Sequence, residues 1–386
     1  MEVYLDNAAT TRAFDSVKEI IVKTLEVDYG NPSSMHKKGL DAEKYIKGAK
    51  DILAKALKAD VKEIYFTSGG TESNNMALIG AAYGNRRSGN HIITTKIEHP
   101  SVHNPLIFLE ENGFRISYIS VDSLGRIHEE ELLEAVCEDT ILVSLMYVNN
   151  ETGSVQNIKE ISKKIKQKNP VTLVHVDAIQ AFGKYIIYPS REGIDLLSIS
   201  GHKIHGPKGS GVLYVKDKVK VKPILFGGGQ QKGMRSGTEN VPGVAGIGQA
   251  VSDIYKDHEK MVTKLYDLKQ QLIDGLKRME GVYINCAGDA IRESAPHIVS
   301  ASFEGIRSEV LLHALEDKGI YVSSGSACAT NHPELSTTLQ AIGLDKKLLD
   351  STLRFSFSVY TTREDISYTL ETLEELVPIL RKYSRH

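Results

Sequence analysis

Two side chains of opposite charge each follow a short apolar run. Asp177 closes the run Val171-Thr-Leu-Val-His-Val, and Lys203 lies in Ser200-Gly-His-Lys, directly after Leu196-Leu-Ser-Ile. If these runs are neighbouring parallel strands, both side chains reach one crevice at the carboxyl ends of the strands, where open α/β sheets bind ligands. Pyridoxal 5′-phosphate (PLP) requires such a pair, since an amine forms the Schiff base and an acid keeps the pyridine nitrogen protonated. A solvated lysine and a helix-capping aspartate explain the pair equally well.

A segment of small residues, Thr67-Ser-Gly-Gly-Thr-Glu-Ser73, follows another strand-like run and opens a helical one. Small residues let the backbone close around an anion, and a helix N-terminus directs free N–H groups and a positive dipole towards it. The segment is therefore a candidate phosphate site. Its spacing matches neither the Walker nor the dinucleotide-binding pattern, so a plain capped helix start is an equal interpretation.

Cys328 differs from the other two cysteines in its neighbours. It lies in Ser323-Ser-Gly-Ser-Ala-Cys-Ala-Thr-Asn-His332, where small and polar residues predict an exposed, reactive thiol. Cys137 ends an amphipathic segment and Cys286 ends a strand-like run, so we interpret both as small, partly buried filler. Cys328 is the candidate nucleophile.

The sequence pattern predicts an α/β fold that would position these groups. Between about residues 15 and 255, short apolar runs alternate with amphipathic segments, which is typical of a largely parallel sheet with helices. Residues 15–255 are therefore the expected large domain. Its predicted strands are Ile64–Thr67, His91–Thr95, Ile116–Ile119, Ile141–Met146, Leu173–Val176 and Leu196–Ile199, with helices at Glu129–Val136 and Ile158–Lys168.

A smaller α+β domain is predicted for residues 256–386, joined by residues 1–14. Its expected elements are a helix at Met261–Met279, strands at Val282–Asn285, Ile298–Phe303 and Leu353–Phe357, and a final helix at Arg363–Tyr383. The glycine-rich stretch 227–238 cannot be a regular element. It is either a loop held for close backbone approach or a flexible surface linker.

Composition excludes several classes of partner. Lys and Arg number 47 against 49 Asp and Glu, and the net charge of −2 supplies no general attraction to nucleic acid or anionic lipid. The chain has no signal-peptide pattern and no apolar run near the ~18 residues of a membrane helix, so we expect a cytoplasmic protein without membrane contact. No Cys-x-x-Cys pair is present, and no resident metal is expected.

Six motifs in register resemble the cysteine desulfurases, a branch of the fold-type-I PLP enzymes related to class V aminotransferases. The motifs are Ser68-Gly-Gly-Thr-Glu-Ser, Glu98-His, Asp177-Ala-Ile-Gln, Ser200-Gly-His-Lys, Arg235-Ser-Gly-Thr and Ser323-Ser-Gly-Ser-Ala-Cys. Their order and spacing fit along nearly the whole chain. The last motif is typical of members with a long mobile cysteine loop, which the small domain would carry.

The resemblance implies a role for each matching residue. Lys203 would be the Schiff-base lysine, Asp177 the partner of the pyridine nitrogen, Gln180 the partner of the ring hydroxyl, and His99 a residue that stacks on the ring and assists proton transfer. Asn150 would contact cofactor and substrate, while Arg354 and Asn7 would bind the substrate carboxylate. The phosphate would be held by Gly70, Thr71, Ser200 and His202, with Thr238 contributed by the partner subunit of a homodimer.

The reaction implied is conversion of L-cysteine to alanine, with the sulfur left on Cys328 as a persulfide. An unperturbed thiol has a pKa of ~8.5, so a base must help; His99 is our candidate, with His332 nearer in sequence. A sulfur-acceptor protein, either an iron–sulfur scaffold or a thiolation enzyme, is the expected partner, and Cys328 would make any transient iron–sulfur contact. Residues 329–333 depart from many relatives and the chain ends at His386, which leaves the acceptor open.

Two alternatives remain at the level of sequence. Lys203 and Asp177 would also serve another PLP reaction, such as selenocysteine cleavage or transamination, although Cys328 argues against transamination. A non-enzymatic sulfur-pathway interaction protein would not need Lys203, Asp177 and Cys328 together.

Overall fold

The structure is a computed structural model that describes residues 1–286, 288, 290–324 and 335–383. Its strands are β1 Val3–Tyr4, β2 Ile64–Thr67, β3 His91–Thr95, β4 Arg115–Ile119, β5 Thr140–Met146, β6 Leu173–Asp177, β7 Leu196–Ser200, β8 Gly211–Val215, β9 Val282–Asn285, β10 Ile298–Phe303, β11 Ile320–Tyr321, β12 Ser323–Ser324 and β13 Thr352–Ser356. Its helices are α1 Asp15–Glu26, α2 Lys37–Leu57, α3 Gly70–Asn85, α4 Pro100–Glu111, α5 Glu129–Ala135, α6 Ile158–Lys168, α7 Pro189–Glu192, α8 Val241–Lys256, α9 His258–Leu276, α10 Ser308–Glu316, α11 Thr337–Ala341, α12 Lys346–Leu349 and α13 Arg363–Tyr383.

The larger sheet has seven strands in the order β2-β8-β7-β6-β5-β3-β4. Strands β7, β6, β5, β3 and β4 run parallel to one another, and β8 is antiparallel to both of its neighbours. Strands β3, β5, β7 and β8 are buried along their whole length, as expected for a sheet covered on both faces. The predicted α/β fold with a mainly parallel sheet is confirmed.

A second sheet, in the order β12-β13-β10-β9, is antiparallel. It packs with α9, α10 and α13 around a separate apolar core that includes Phe303, Phe355 and Leu373. The division into domains 15–255 and 256–386 stays a prediction; the proposed boundary falls next to the junction of α8 and α9.

The first residues of the chain lie against this second group of elements. Strand β1 pairs in parallel with β11, and Asp6 forms an isolated bridge with Ser356 at the end of β13. The Asn7 side chain donates to the carbonyls of Tyr4 and Ser356, and the Ala8 N–H donates to Ser356 Oγ. Residues 3–8 are thereby fixed beside β13.

The helices in the described part of the chain do not combine the length and apolarity needed to cross a membrane.

Candidate functional site

Three of the predicted residues come from the carboxyl ends of sheet strands. Asp177 is the last residue of β6, Lys203 ends the 3-10 turn that follows β7, and His99 follows β3 and caps α4. Strands β6 and β7 are direct neighbours, and β5 separates β6 from β3. The structure therefore brings Asp177, Lys203 and His99 to one edge of the sheet, as the sequence predicted.

Asp177 is a buried acid, with 3% of its surface exposed. Its carboxylate accepts hydrogen bonds from Asn74 Nδ2 at 2.8 Å and from the Ile179 N–H at 3.0 Å. Burial raises the pKa of Asp177, although these two donors and the charges of His99 and Lys203 oppose the rise. A buried carboxyl of this kind is suited to share a proton with a ring nitrogen.

The Lys203 amine is held by the N-terminal segment. Its Nζ donates to the carbonyls of Ala8 at 2.6 Å and Ala9 at 2.7 Å. Behind it, the buried Lys184 donates to the Lys203 carbonyl at 2.6 Å. These contacts fix both the backbone and the reactive end of Lys203.

The imidazole of His99 is held by the first turn of α4. Its Nδ1 accepts from the Ser101 N–H at 3.1 Å and lies 2.8 Å from Ser101 Oγ. The same Oγ accepts a hydrogen bond from Asn74 Nδ2 at 2.9 Å. Burial lowers the pKa of His99, so the ring is neutral and carries its proton on Nε2. This tautomer makes His99 a donor at Nε2. Deprotonation of Cys328 by His99 stays a prediction, because Cys328 lies outside the described residues.

The buried Glu98 fixes the loop between β3 and α4. Its Oε1 accepts from Thr95 Oγ1 at 2.7 Å and from the Met146 N–H at 3.0 Å. Burial raises the pKa of Glu98 to about 8. The Glu98-His motif therefore joins a structural acid to a residue of the site.

The predicted phosphate cradle lies at the start of α3. Gly70 and Thr71 are the first two residues of α3. Glycine at position 70 allows a close approach, because a Cβ there would lie 2.2 Å from Ile179 Cδ1. The Oγ of Ser200 is buried and, among the described residues, has no hydrogen-bond partner. The helix N-terminus and the orphaned hydroxyl together match the donors that a phosphate monoester requires.

His202 has a partner of its own, since its Nδ1 lies 3.2 Å from Thr10 Oγ1. Burial lowers its pKa to about 4, so the His202 ring is neutral at neutral pH. Its contact with a phosphate stays a prediction.

Gln180 and Arg354 extend the site away from the cradle. Gln180 Nε2 donates to the Ala8 carbonyl at 2.9 Å, so it shares that acceptor with Lys203. Arg354 Nη1 donates to the Asn150 carbonyl, and Nη2 donates to Asp6 Oδ1, both at 2.8 Å. Its Nε is buried without a partner in the described structure and is a donor open to a carboxylate.

Asn150 and Asn7 contribute differently. The Asn150 backbone anchors Arg354, whereas both N–H groups of the Asn7 side chain are committed to main-chain carbonyls. A role for Asn7 in binding a carboxylate stays a prediction, and it would require one of those bonds to break.

Thr238 is exposed at the end of the glycine-rich stretch. That stretch is tied to its own chain, because Arg235 Nε donates to Glu72 Oε1 at 2.8 Å and Gln231 pairs with both backbone groups of Phe66. It is therefore an anchored loop rather than a flexible linker.

The cysteines have different outcomes. Cys328 and His332 lie outside the described residues. Cys286 is buried, as predicted, but the interpretation of Cys137 as partly buried filler is wrong: it follows α5 in the turn before β5 and is exposed. This surface position lets its thiol donate to Asp139 Oδ1 at 2.9 Å.

The site also contains residues that were not identified from sequence, namely Asn74, Ser101, Asp6, Ala8 and Ala9. Asn74 links Asp177 to Ser101, Asp6 pairs with Arg354, and Ala8 supplies a carbonyl to Lys203. Asn74 stands four residues after Gly70, which places it on the inner face of α3. That spacing was the one signal available.

Comparison with known proteins gives the class. The sequence pattern of the aminotransferase class-V family matches residues 3–369, and the chain belongs to this family. Cysteine desulfurase IscS of Dictyoglomus turgidum is 41% identical over 384 residues, which cover 99% of this chain and 96% of the relative. The IscS of Methanosarcina thermophila is 42% identical over 382 residues, with 99% and 93% covered. Within the family, the chain therefore belongs to the cysteine desulfurase branch.

Solved structures agree with this placement. A NifS-like protein superposes with a TM-score of 0.92 at 38% identity, over 98% of this chain and 100% of that one. SspA, solved in complex with cysteine, gives a TM-score of 0.81 at 32% identity, over 93% and 100%. The family uses PLP, and the residues present fit this cofactor, because Asp177 is a buried acid and Ser200 Oγ has no partner within the described part of the chain.

Proposed function

We propose that this protein is a cysteine desulfurase that converts L-cysteine to alanine and leaves the sulfur on Cys328 as a persulfide. The observation that carries the proposal is that Lys203 and Arg354 both bind the N-terminal segment and that the charge of Lys203 acts on Asp177, in a chain that also has Cys328. Bound PLP would supply the electron sink that makes the Cα proton of an amino acid acidic.

Each residue has a defined task in this proposal. Asp177 would hold a proton at the ring nitrogen of PLP, while Gly70, Thr71, Ser200 and His202 would hold its phosphate. Lys203 would bind the cofactor, and its Nζ would take the Cα proton of the substrate.

The sulfur step uses the thiolate of Cys328. Its Sγ attacks the substrate sulfur, so an S–S bond forms while the substrate Cβ–S bond breaks. The electron pair of the broken bond stays with the carbon fragment, which is protonated and leaves as alanine.

The substrate carboxylate is bound by Arg354 in this proposal. Arg354→Lys removes the planar fork and the buried Nε donor, so we expect KM for L-cysteine to rise by about 10- to 100-fold, the effect of losing one or two charge-assisted hydrogen bonds. Steady-state kinetics measures the change, and PLP binding by the variant should be unaltered. A KM equal to that of the parent enzyme would assign the carboxylate to another residue.

The sulfur acceptor and the location belong to the same proposal. An iron–sulfur scaffold or a thiolation enzyme receives the persulfide sulfur, and the reaction takes place in the cytoplasm. Selenocysteine cleavage is the second candidate reaction, because the same lysine and acid would serve it.

We further propose that the enzyme is a homodimer in which the partner subunit's Thr238 completes the phosphate site. Supporting observations are the exposure of Thr238 and of large apolar side chains on α1, in the loop after it and directly before the glycine-rich stretch 227–238, namely Val22, Leu25, Met35 and Phe226. Sedimentation at assay concentration should show a dimer, and Thr238→Ala should weaken PLP binding by about 10-fold, as for one phosphate hydrogen bond. A fully active monomer would contradict both statements.

The direct test is incubation of the purified protein with PLP and L-cysteine. Alanine should form, with an equal amount of sulfide released when a reductant is present. Replacing L-cysteine by L-selenocysteine or by an amino acid and a keto-acid acceptor separates the alternatives. If the protein is yellow and loaded with PLP but no alanine forms, the proposed desulfuration is refuted and the assignment of PLP as cofactor still holds.

A further inference from the structure

His297 is a buried histidine that none of the tasks above uses. It precedes β10 with 2% of its surface exposed, and its Nε2 lies 3.2 Å from Gln180 Oε1. Its Nδ1 is buried and has no hydrogen-bond partner among the described residues. A buried imidazole with only one hydrogen-bond partner among the described residues is uncommon and requires an explanation.

The neighbouring bonds determine where the His297 proton resides. Gln180 Nε2 donates to the Ala8 carbonyl at 2.9 Å, which turns Gln180 Oε1 towards His297. Since Oε1 only accepts, His297 must donate from Nε2. Burial lowers the pKa of His297 well below its ordinary value, and the charges of Lys184, Lys269, Arg354 and Lys203 act in the same direction. The ring is therefore neutral, with a bare Nδ1.

The bond to Gln180 is the first link of a chain that ends at the reactive lysine. His297 donates to Gln180, Gln180 donates to the Ala8 carbonyl, and Lys203 Nζ donates to the same carbonyl. An amide has nearly the same shape when its oxygen and nitrogen are exchanged, so its orientation depends on its hydrogen-bond partners. The Ala8 carbonyl accepts from Nε2 and the His297 ring donates to Oε1, and both bonds favour the same orientation.

We propose that His297 is a positioning residue, which holds the Gln180 amide with its N–H groups towards Ala8 and the hydroxyl of the cofactor ring. This inference rests on the proposed function, because it concerns the residue assigned to that hydroxyl. Without the His297 donor, Oε1 is buried and unpaired, and the amide rotates to find another donor. The N–H then no longer points at the ring oxygen.

The test is a pH titration of the visible absorbance of the PLP-loaded enzyme. A donor at the ring oxygen favours its ionised form, so losing it raises the pKa of the absorbance transition. His297→Phe should raise it by about one pH unit, the size expected for one hydrogen bond to a titrating group. His297→Gln, which retains a donor at a similar reach, should restore the transition towards that of the parent enzyme.

A double variant separates positioning from a direct effect of the ring. If His297 acts through Gln180, His297→Phe should cause no further change in a Gln180→Ala background. An equal change in both backgrounds, or no change from His297→Phe in an enzyme that binds PLP and desulfurates L-cysteine, would overturn the proposal. A parent protein that does neither would instead refute the proposed function.

A second measurement needs no folded variant at position 297. Nitrogen NMR of histidine-labelled, cofactor-free protein should contain, besides the signal of His99, a neutral ring protonated at Nε2 that does not titrate between about pH 6 and 9. This signal should change in Gln180→Ala, which removes the acceptor. If every buried histidine keeps its signal in Gln180→Ala, no histidine donates to Gln180 and the inference fails.

Discussion

Lys203→Ala is expected to abolish alanine formation from L-cysteine, with a loss of at least about 10⁴-fold, because the variant lacks both the amine that binds the cofactor and the base that takes the Cα proton. The visible absorbance of a lysine-linked cofactor should disappear, since no other lysine Nζ is hydrogen-bonded to the Ala8 and Ala9 carbonyls in the described residues. Absorbance spectra and alanine quantification measure the two effects. Lys163→Ala is the matched control, because that lysine is 64% exposed on α6.

Normal colour and full activity in Lys203→Ala would show that another amine binds the cofactor. Loss of both in Lys163→Ala as well would show that lysine replacement destabilises the fold, and Lys203 would then need a milder change such as Lys203→Arg.

Cys328→Ala should separate the two halves of the reaction. The variant retains Lys203, Asp177 and Arg354, so it should still bind PLP and change its absorbance when L-cysteine is added. No protein persulfide should form, and alanine production should fall by at least about 10³-fold, as expected when a covalent nucleophile is removed. Mass spectrometry after mixing with L-cysteine detects a persulfide as the addition of one sulfur atom.

The other two cysteines are the controls for this variant. Burial raises the pKa of the Cys286 thiol to about 11, so it stays protonated at neutral pH, and Cys286→Ala should leave activity intact. Cys137 is the more demanding control because it is exposed, and Cys137→Ala should also remain active. A persulfide on either residue in an active Cys328→Ala enzyme would refute the assignment.

Sequence periodicity predicted most of the larger sheet. The bounds of β2 and β3 agree with the predicted runs, and β4 to β7 differ from theirs by one residue at an end. Strand β8 was missed, although Gly211–Val215 is wholly buried, because a short run that begins with glycine carries no alternation of apolar and polar residues. The two-residue strands β1, β11 and β12 are too short to give any pattern.

The site was predictable where it follows strand ends and unpredictable where it depends on packing between distant segments. Asp177 and Lys203 could be placed together because adjacent parallel strands end at one edge. The contact of Ala8 with Lys203 joins a backbone carbonyl to a side chain 195 positions away, and a carbonyl has no sequence signature. The link between Asn74 and Asp177 spans 103 positions in the same way.

The place of residues 3–8 beside β13 has a consequence for the protein during its synthesis. Asp6 and Arg354 are 348 positions apart, so the ribosome makes Asp6 long before Arg354. Domains generally fold as the chain emerges, N-terminal part first. Here, however, residues 3–8 must wait for β13 to be made before Asp6 can pair with Arg354. A stalled or prematurely terminated chain that ends before Arg354 therefore lacks the proposed binding site for the substrate carboxylate, even if the parallel sheet has folded.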